Sequence, residues 1–330
     1  MPAALQEHHR ALIYKPSRHQ PLINEPGVTV TMSDDEKVKL EPMNFYDRPN
    51  KKKSLTAILD ILSNTNSDAA WKNLPSFLTG MQLAKERIPA QFYEKITRKA
   101  SEMGKERIIV LCAERAHETG LRLSKKGVAK ELMLGFHTRA ALADFKGGEL
   151  EAASRRAEKV VRMLEDELYA TEKLKEDEVD ARRSPLVASV LTELVAAKTV
   201  NGSESDAEKV ASYALKMLHL AKESQVNSAK PPPGASKIEI RALENNVLEG
   251  LLPMQNAIKL ALELDSVKKA PLGKQLAARL KKVTNTIEES VKILRENADG
   301  QPRRGLEMYD QLHGTQYNEV AAAEPGKDEA

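Results

Sequence analysis

From residue 54 onward, apolar side chains recur at three- and four-residue intervals, the spacing of one face of an α-helix. Leu55, Ile58, Leu59 and Leu62 set the first such helix from Ser54. Asn66, Ser67 and Asp68 then offer an N-cap for a second, through Trp71, Leu74, Leu78 and Leu83, with Pro75 near its first turn. Pro89 opens the clearest unit. Ala90 to Met103 aligns Phe92, Tyr93, Ile96 and Ala100 on one side, Gly104 breaks the run, and Lys105 to Thr119 carries Ile108, Ile109, Leu111, Cys112 and Ala116 up to Gly120. Two helices joined by a glycine turn make an αα-hairpin.

The same grammar repeats. The next helix is expected near Ser124, 35 residues after Pro89, which reads as a repeat period. Val128 to Phe145, the Gly147-Gly148 turn and Leu150 to Leu164 make a second hairpin. Pro185 to Val195, a turn at Asn201-Gly202-Ser203 and Asp206 to Ala221 make a third, with Asp206 as N-cap. Helices at Lys237 to Leu264 and Gly273 to Asn297 close the series. No strand alternation follows residue 54, and Val28 to Thr31 is the one short β-like run.

Outside these helices the polar pattern changes character. Residues 1–53 hold Pro2, Pro16, Pro21, Pro26, Pro42 and Pro49, with Ser33-Asp34-Asp35-Glu36 between them, and read as an extended arm. Asn227 to Ser236, NSAKPPPGAS, cannot continue a helix and reads as a linker. The expected organisation is therefore an arm at 1–53, a helical-repeat domain at 54–226, a linker at 227–237, a C-terminal helical hairpin at 238–298 and a polar tail at 299–330. The fold class is all-α, with antiparallel hairpins stacked in the manner of an α-solenoid.

Composition narrows the function. Aromatic residues make up only 4% of the 330, which favours Leu/Ala/Val helix packing. No run approaches the roughly 18 apolar residues of a membrane-spanning helix. A single cysteine, Cys112, excludes an internal disulfide and a cysteine-built zinc site. The net charge of +3 is small, but it is unevenly spread: Lys85 to Lys130 holds 12 Lys and Arg against 6 acids, whereas Glu165 to Asp180 is strongly acidic. Arg10, Lys15 and Arg18 against Glu7 give the N-terminus a weak mitochondrial-presequence character.

The Pro89 to Ser124 unit resembles a pentatricopeptide repeat. With Gln91 at the first position, Tyr93 falls on the usual aromatic, Gly104 on the inter-helix glycine, Ile109 and Val110 on the second-helix core, and Gly120-Leu121 on the closing pair. The hairpins through Gly147 and through Tyr213 are similar to tetratricopeptide and pentatricopeptide units alike. The resemblance places its base-selecting positions near Lys95 and Lys125, where the family's usual Asn, Ser, Thr or Asp is missing. That departure implies charge-based phosphate contact in place of base selection. In overall character the chain resembles accessory proteins of mitochondrial ribosomes, fungal ones above all. This implies a matrix location, with mitochondrial ribosomal proteins and rRNA as partners. A free factor for an organellar transcript and a cytosolic peptide-binding scaffold remain as alternatives.

Catalytic signatures are missing. The dinucleotide and phosphate-loop glycine patterns do not occur, His117-Glu118 is not followed by the spacing of a zinc protease, and no G-x-S-x-G elbow is found. Cys112, within IIVLC, reads as a core thiol, His8-His9 lack further metal ligands, and His137 and His219 read as packing residues. No enzyme activity, cofactor, metal or small-molecule substrate is expected. The candidate chemistry is phosphate contact by Lys95, Arg98, Lys99, Lys105, Arg107, Arg122, Lys125, Lys126, Lys130, Lys281, Lys282, Arg303 and Arg304. An ordinary solvated helix face has the same pattern.

Overall fold

The computed structural model describes all residues except 1–4, 32–36, 45–49, 65–66, 167–178, 203–205, 222–233, 298–300, 302 and 315–330. The chain forms two compact units, 1–60 and 61–330. Several expected features lie outside the described residues: Ser33-Asp34-Asp35-Glu36, the Asn66 part of the cap, most of the acidic run, NSAKPPP of the linker and the last residues of the tail.

The first unit corrects the expectation of an extended arm. It contains α1 (Glu7–Tyr14), α2 (Gln20–Ile23) and two antiparallel strands, β1 (Thr29–Thr31) and β2 (Lys37–Lys39), in which Val30 faces Val38. Leu5, Leu22 and Leu40 form a small core with Leu12, Ile13, Val28 and Val30 against it. Proline density misled the reading because position matters more than number. Pro16 begins a single 3₁₀ turn and Pro21 lies in the first turn of α2, where the missing N–H costs nothing.

Helix α3 (Lys51–Asn64) spans the boundary between the units. The second unit continues with α4 (Asp68–Lys72), α5 (Leu74–Leu83), α6 (Ala90–Glu102), α7 (Glu106–Glu114), α8 (Ala116–Thr119), α9 (Val128–Leu142), α10 (Gly147–Glu165), α11 (Pro185–Gly202) and α12 (Ala207–Leu220). It ends with α13 (Lys237–Glu263), α14 (Asp265–Lys269), α15 (Pro271–Glu296) and α16 (Arg304–His313). All-α architecture is thus established for this unit. Two expected helices are split, the first after Lys72, ahead of Pro75, and the second at Arg115, whose ψ of 37° leaves the helical region. The tail expected to be merely polar carries α16, which packs on α13 and α9.

Consecutive helices α9 and α10, and α11 and α12, pack on each other, α13 packs on α15 across the short α14, and α6 packs on α9. Helix α11 sits at the centre, against α9, α10, α12 and α13. Every residue from Leu186 to Ala197 is buried, because this helix is apolar around its whole circumference. Its hydroxyls are satisfied locally: Ser189 donates to the Pro185 carbonyl and Thr192 to that of Ala188. Leu194 of α11, Leu132 and Phe136 of α9 and Leu252 of α13 are fully buried, each side chain contributing about 1.5–3 kcal/mol. Helix α13 starts in a capping box, with Ser236 Oγ accepting from the Glu239 N–H and the Glu239 carboxylate accepting from the Ser236 N–H at 2.8 Å.

Buried carboxylates tie these helices together. Glu193 of α11 accepts from Asn256 of α13 at 2.7 Å and lies 2.7 Å from His137 Nδ1 of α9. Ser290 of α15 donates to Glu244 of α13 at 2.7 Å. On the flank, Arg304 of α16 reaches Glu131 of α9 at 2.5 Å, and the Gly305 N–H donates to Asn245 of α13 at 2.8 Å.

Candidate nucleic-acid interface

Helix α6 carries Lys95 exposed and Arg98 and Lys99 half-buried, with Lys99 paired to Glu102 at 2.7 Å. Lys105, in the turn before α7, pairs with Asp68 and holds that carboxyl below its usual range through their hydrogen bond. Arg107 is exposed on α7, and Arg122 and Lys126 are exposed between α8 and α9. Lys130 pairs with the buried Glu249 at 2.7 Å and donates to Asn246 at 3.1 Å, so it joins α9 to α13. Arg304 is likewise engaged with buried Glu131. Lys281 and Lys282 are exposed on α15, and Arg303 is half-buried ahead of α16. The thirteen positions therefore occupy several places, and some of their charge serves the fold.

Two of them, Arg122 and Lys125, meet in a groove that the sequence did not reveal. The turn after α5 supplies Lys85 and Arg87, α8 supplies His117, and the groove has a volume of about 600 Å³. Lys85 adopts a φ of 55°, which ends α5 and turns the chain along the groove wall. Glu86 is the one acid in the lining. Tyr93 of α6, 2% exposed, presents its hydroxyl at the floor, where Gln82 donates to it across 3.5 Å. Burial pushes the Tyr93 phenol above its ordinary range, against the opposing effect of Gln82, so it stays protonated. Gly120, at φ 69°, lies so close that any added Cβ would collide with Gln82 and the Tyr93 hydroxyl. The groove thus gathers four basic side chains over a polar floor.

Cys112 is buried, and its thiol is pushed up to about 12 by that burial, as befits a core residue. His137 is buried, whereas His219 is exposed. Among the described residues no cluster of His, Cys, Asp and Glu is arranged to hold a metal ion, and no helix is long and apolar enough to cross a membrane.

The family described as Mrp13, mitochondrial ribosomal protein mS27, matches residues 1–311. The chain belongs to the mS27 family. Among curated proteins none matches it. As an mS27 family member it is a structural component of the mitochondrial ribosome, located in the mitochondrion with the matrix as the site of that ribosome, and it associates with ribosomal proteins and rRNA. Sequence reasoning had reached that class from helical pattern and resemblance. It had missed Lys85, Arg87 and His117, although the first two lie inside the basic stretch that begins at Lys85.

Proposed function

We propose that this mS27-family chain works within the mitochondrial ribosome as a non-catalytic scaffold whose helices pair as pentatricopeptide- or tetratricopeptide-like hairpins. Its rigid core positions protein neighbours while exposed cations touch rRNA phosphates. The supporting observation is the division of labour among its basic residues. Lys130 and Arg304 satisfy buried carboxylates, while Lys95, Arg107, Arg122, Lys126 and Lys281 stand exposed on the same framework. Phosphate contact by such side chains carries no base information but fixes register and orientation. Three visible hairpins are also few for reading RNA at one base per repeat.

Sedimentation of a gentle mitochondrial lysate at low and high salt, with and without RNase, tests this reading. Stable co-migration with one ribosomal subunit through the salt wash is expected, and the Lys95→Glu/Arg107→Glu variant should release at lower salt. Migration as a light species under all conditions would overturn the scaffold role and favour a free transcript-binding factor.

A further inference from the structure

The geometry points to the groove between the α5–α6 turn and residues 120–125 as a binding site for one unstacked nucleotide of single-stranded RNA together with its flanking phosphates. This rests on the RNA-contacting role proposed above and goes beyond it in naming a built pocket. Lys85, Arg87, Arg122 and Lys125 line a concavity of about 600 Å³, within the roughly 300–1000 Å³ of small-ligand pockets. It admits a nucleotide with its neighbours' phosphates.

Cations alone would suit any polyanion, and the floor decides between them. The Tyr93 ring is buried, so it offers no stacking platform, and only its hydroxyl and the Gln82 amide face the groove. A hydroxyl and a primary amide together supply donors and acceptors of the kind that meet the edge of a base. Base edges are open in unpaired RNA, where nucleotides can be splayed out, and they are not open to side chains in the deep groove of an RNA duplex. An acidic peptide would use the four cations and leave the hydroxyl and amide without purpose. Gly120 completes the site, since any side chain there would meet Gln82 and the Tyr93 hydroxyl and fill the floor.

The test uses the purified full-length chain and fluorescence anisotropy with a fluorescein-labelled ten-nucleotide single-stranded RNA of mixed sequence, titrated over a range of salt. Each phosphate contact on a single strand contributes about 0.7 to the slope of log affinity against log salt. Arg87→Gln/Arg122→Gln should therefore flatten that slope by about 1.4. Tyr93→Phe, which keeps the ring and the packing, should weaken single-strand binding several-fold with the slope unchanged. Equal loss of slope in Lys281→Gln/Lys282→Gln, with none in the groove variant, would overturn the groove and leave the scaffold role standing. Tighter or equal binding of a duplex of the same length, of ATP or of poly-glutamate, lost in the groove variant, would also overturn it and reassign the groove to that ligand. Failure to bind RNA in a chain that still co-sediments with a ribosomal subunit would remove this site alone, whereas failure in both assays would remove the scaffold reading as well.

Discussion

Glu193 is the only ionisable group in the buried stretch of α11, and its replacement by alanine should cost as much as truncating a fully buried leucine or phenylalanine beside it. Its carboxyl lies 2.7 Å from both His137 Nδ1 and Asn256 Nδ2, so it joins three helices at one point. Burial raises its affinity for a proton, opposed by His137 and by Asn256. A hydrogen bond to a charged group is worth about 1.5–3 kcal/mol, so losing two gives about 3–6 kcal/mol. Relief of the carboxyl's own desolvation subtracts from that sum. The net should fall near the roughly 3–5 kcal/mol observed when one partner of a buried pair is removed. Glu193→Gln keeps the volume and an acceptor and should cost about 1 kcal/mol, one neutral hydrogen bond. Urea unfolding followed by far-ultraviolet circular dichroism and by Trp71 fluorescence measures both, since Trp71 is fully buried in the same unit. A loss within about 0.5 kcal/mol for Glu193→Ala, the scale of a neutral surface change, would refute the assignment of this cluster as the joint of α9, α11 and α13.

Three further outcomes are expected. Burial raises the Glu106 carboxyl above its ordinary value of 4.5, so its stabilising contribution is present below about that pH and is lost as pH rises through the folded value; Glu106→Gln should be the more stable form at neutral pH, with the difference closing below pH 4.5 in thermal melts. Gly135→Ala drives a Cβ into the Ser101 side chain where α6 crosses α9 and should destabilise by about 1–3 kcal/mol in urea titration. Cys112, with its thiol near 12, should resist thiol reagents in the native chain and react in proportion to the unfolded fraction.

The helices with strong punctuation were legible. Pro89, Gly104, Pro185 and the proline–glycine run ahead of Lys237 mark ends by backbone chemistry that acts locally, and the structure places helix boundaries within a few residues of each. Other features were written only in contacts between distant residues. Helix α16 has a mostly polar sequence, and it docks through Arg304 to Glu131 and Gly305 to Asn245, neither of which periodicity can show. The helix after Gly120 starts at Val128, because Gly127, at φ 85°, turns the chain beside Glu94 of α6. In the groove, Arg122 and Lys125 stood out because they follow a predicted hairpin, while Lys85 and Arg87 sit in a turn that gave no periodic signal. Their convergence depends on α5 packing against α8.

The position of α13 has a consequence for the order in which the chain can become native. Hairpins stacked only on their neighbours can nucleate anywhere and add one at a time. Here the apolar circumference of α11 is completed by a helix whose first residue lies 35 positions beyond Gly202, and Glu193 lacks its Asn256 donor until that helix arrives. A chain emerging from its N-terminus, during synthesis or passage through a membrane, would expose the waiting face of α11 until Lys237–Glu263 had followed. Truncation after α12 should therefore yield an aggregation-prone species in need of a chaperone, and completion of the fold should be a late, single event set by the last hundred residues.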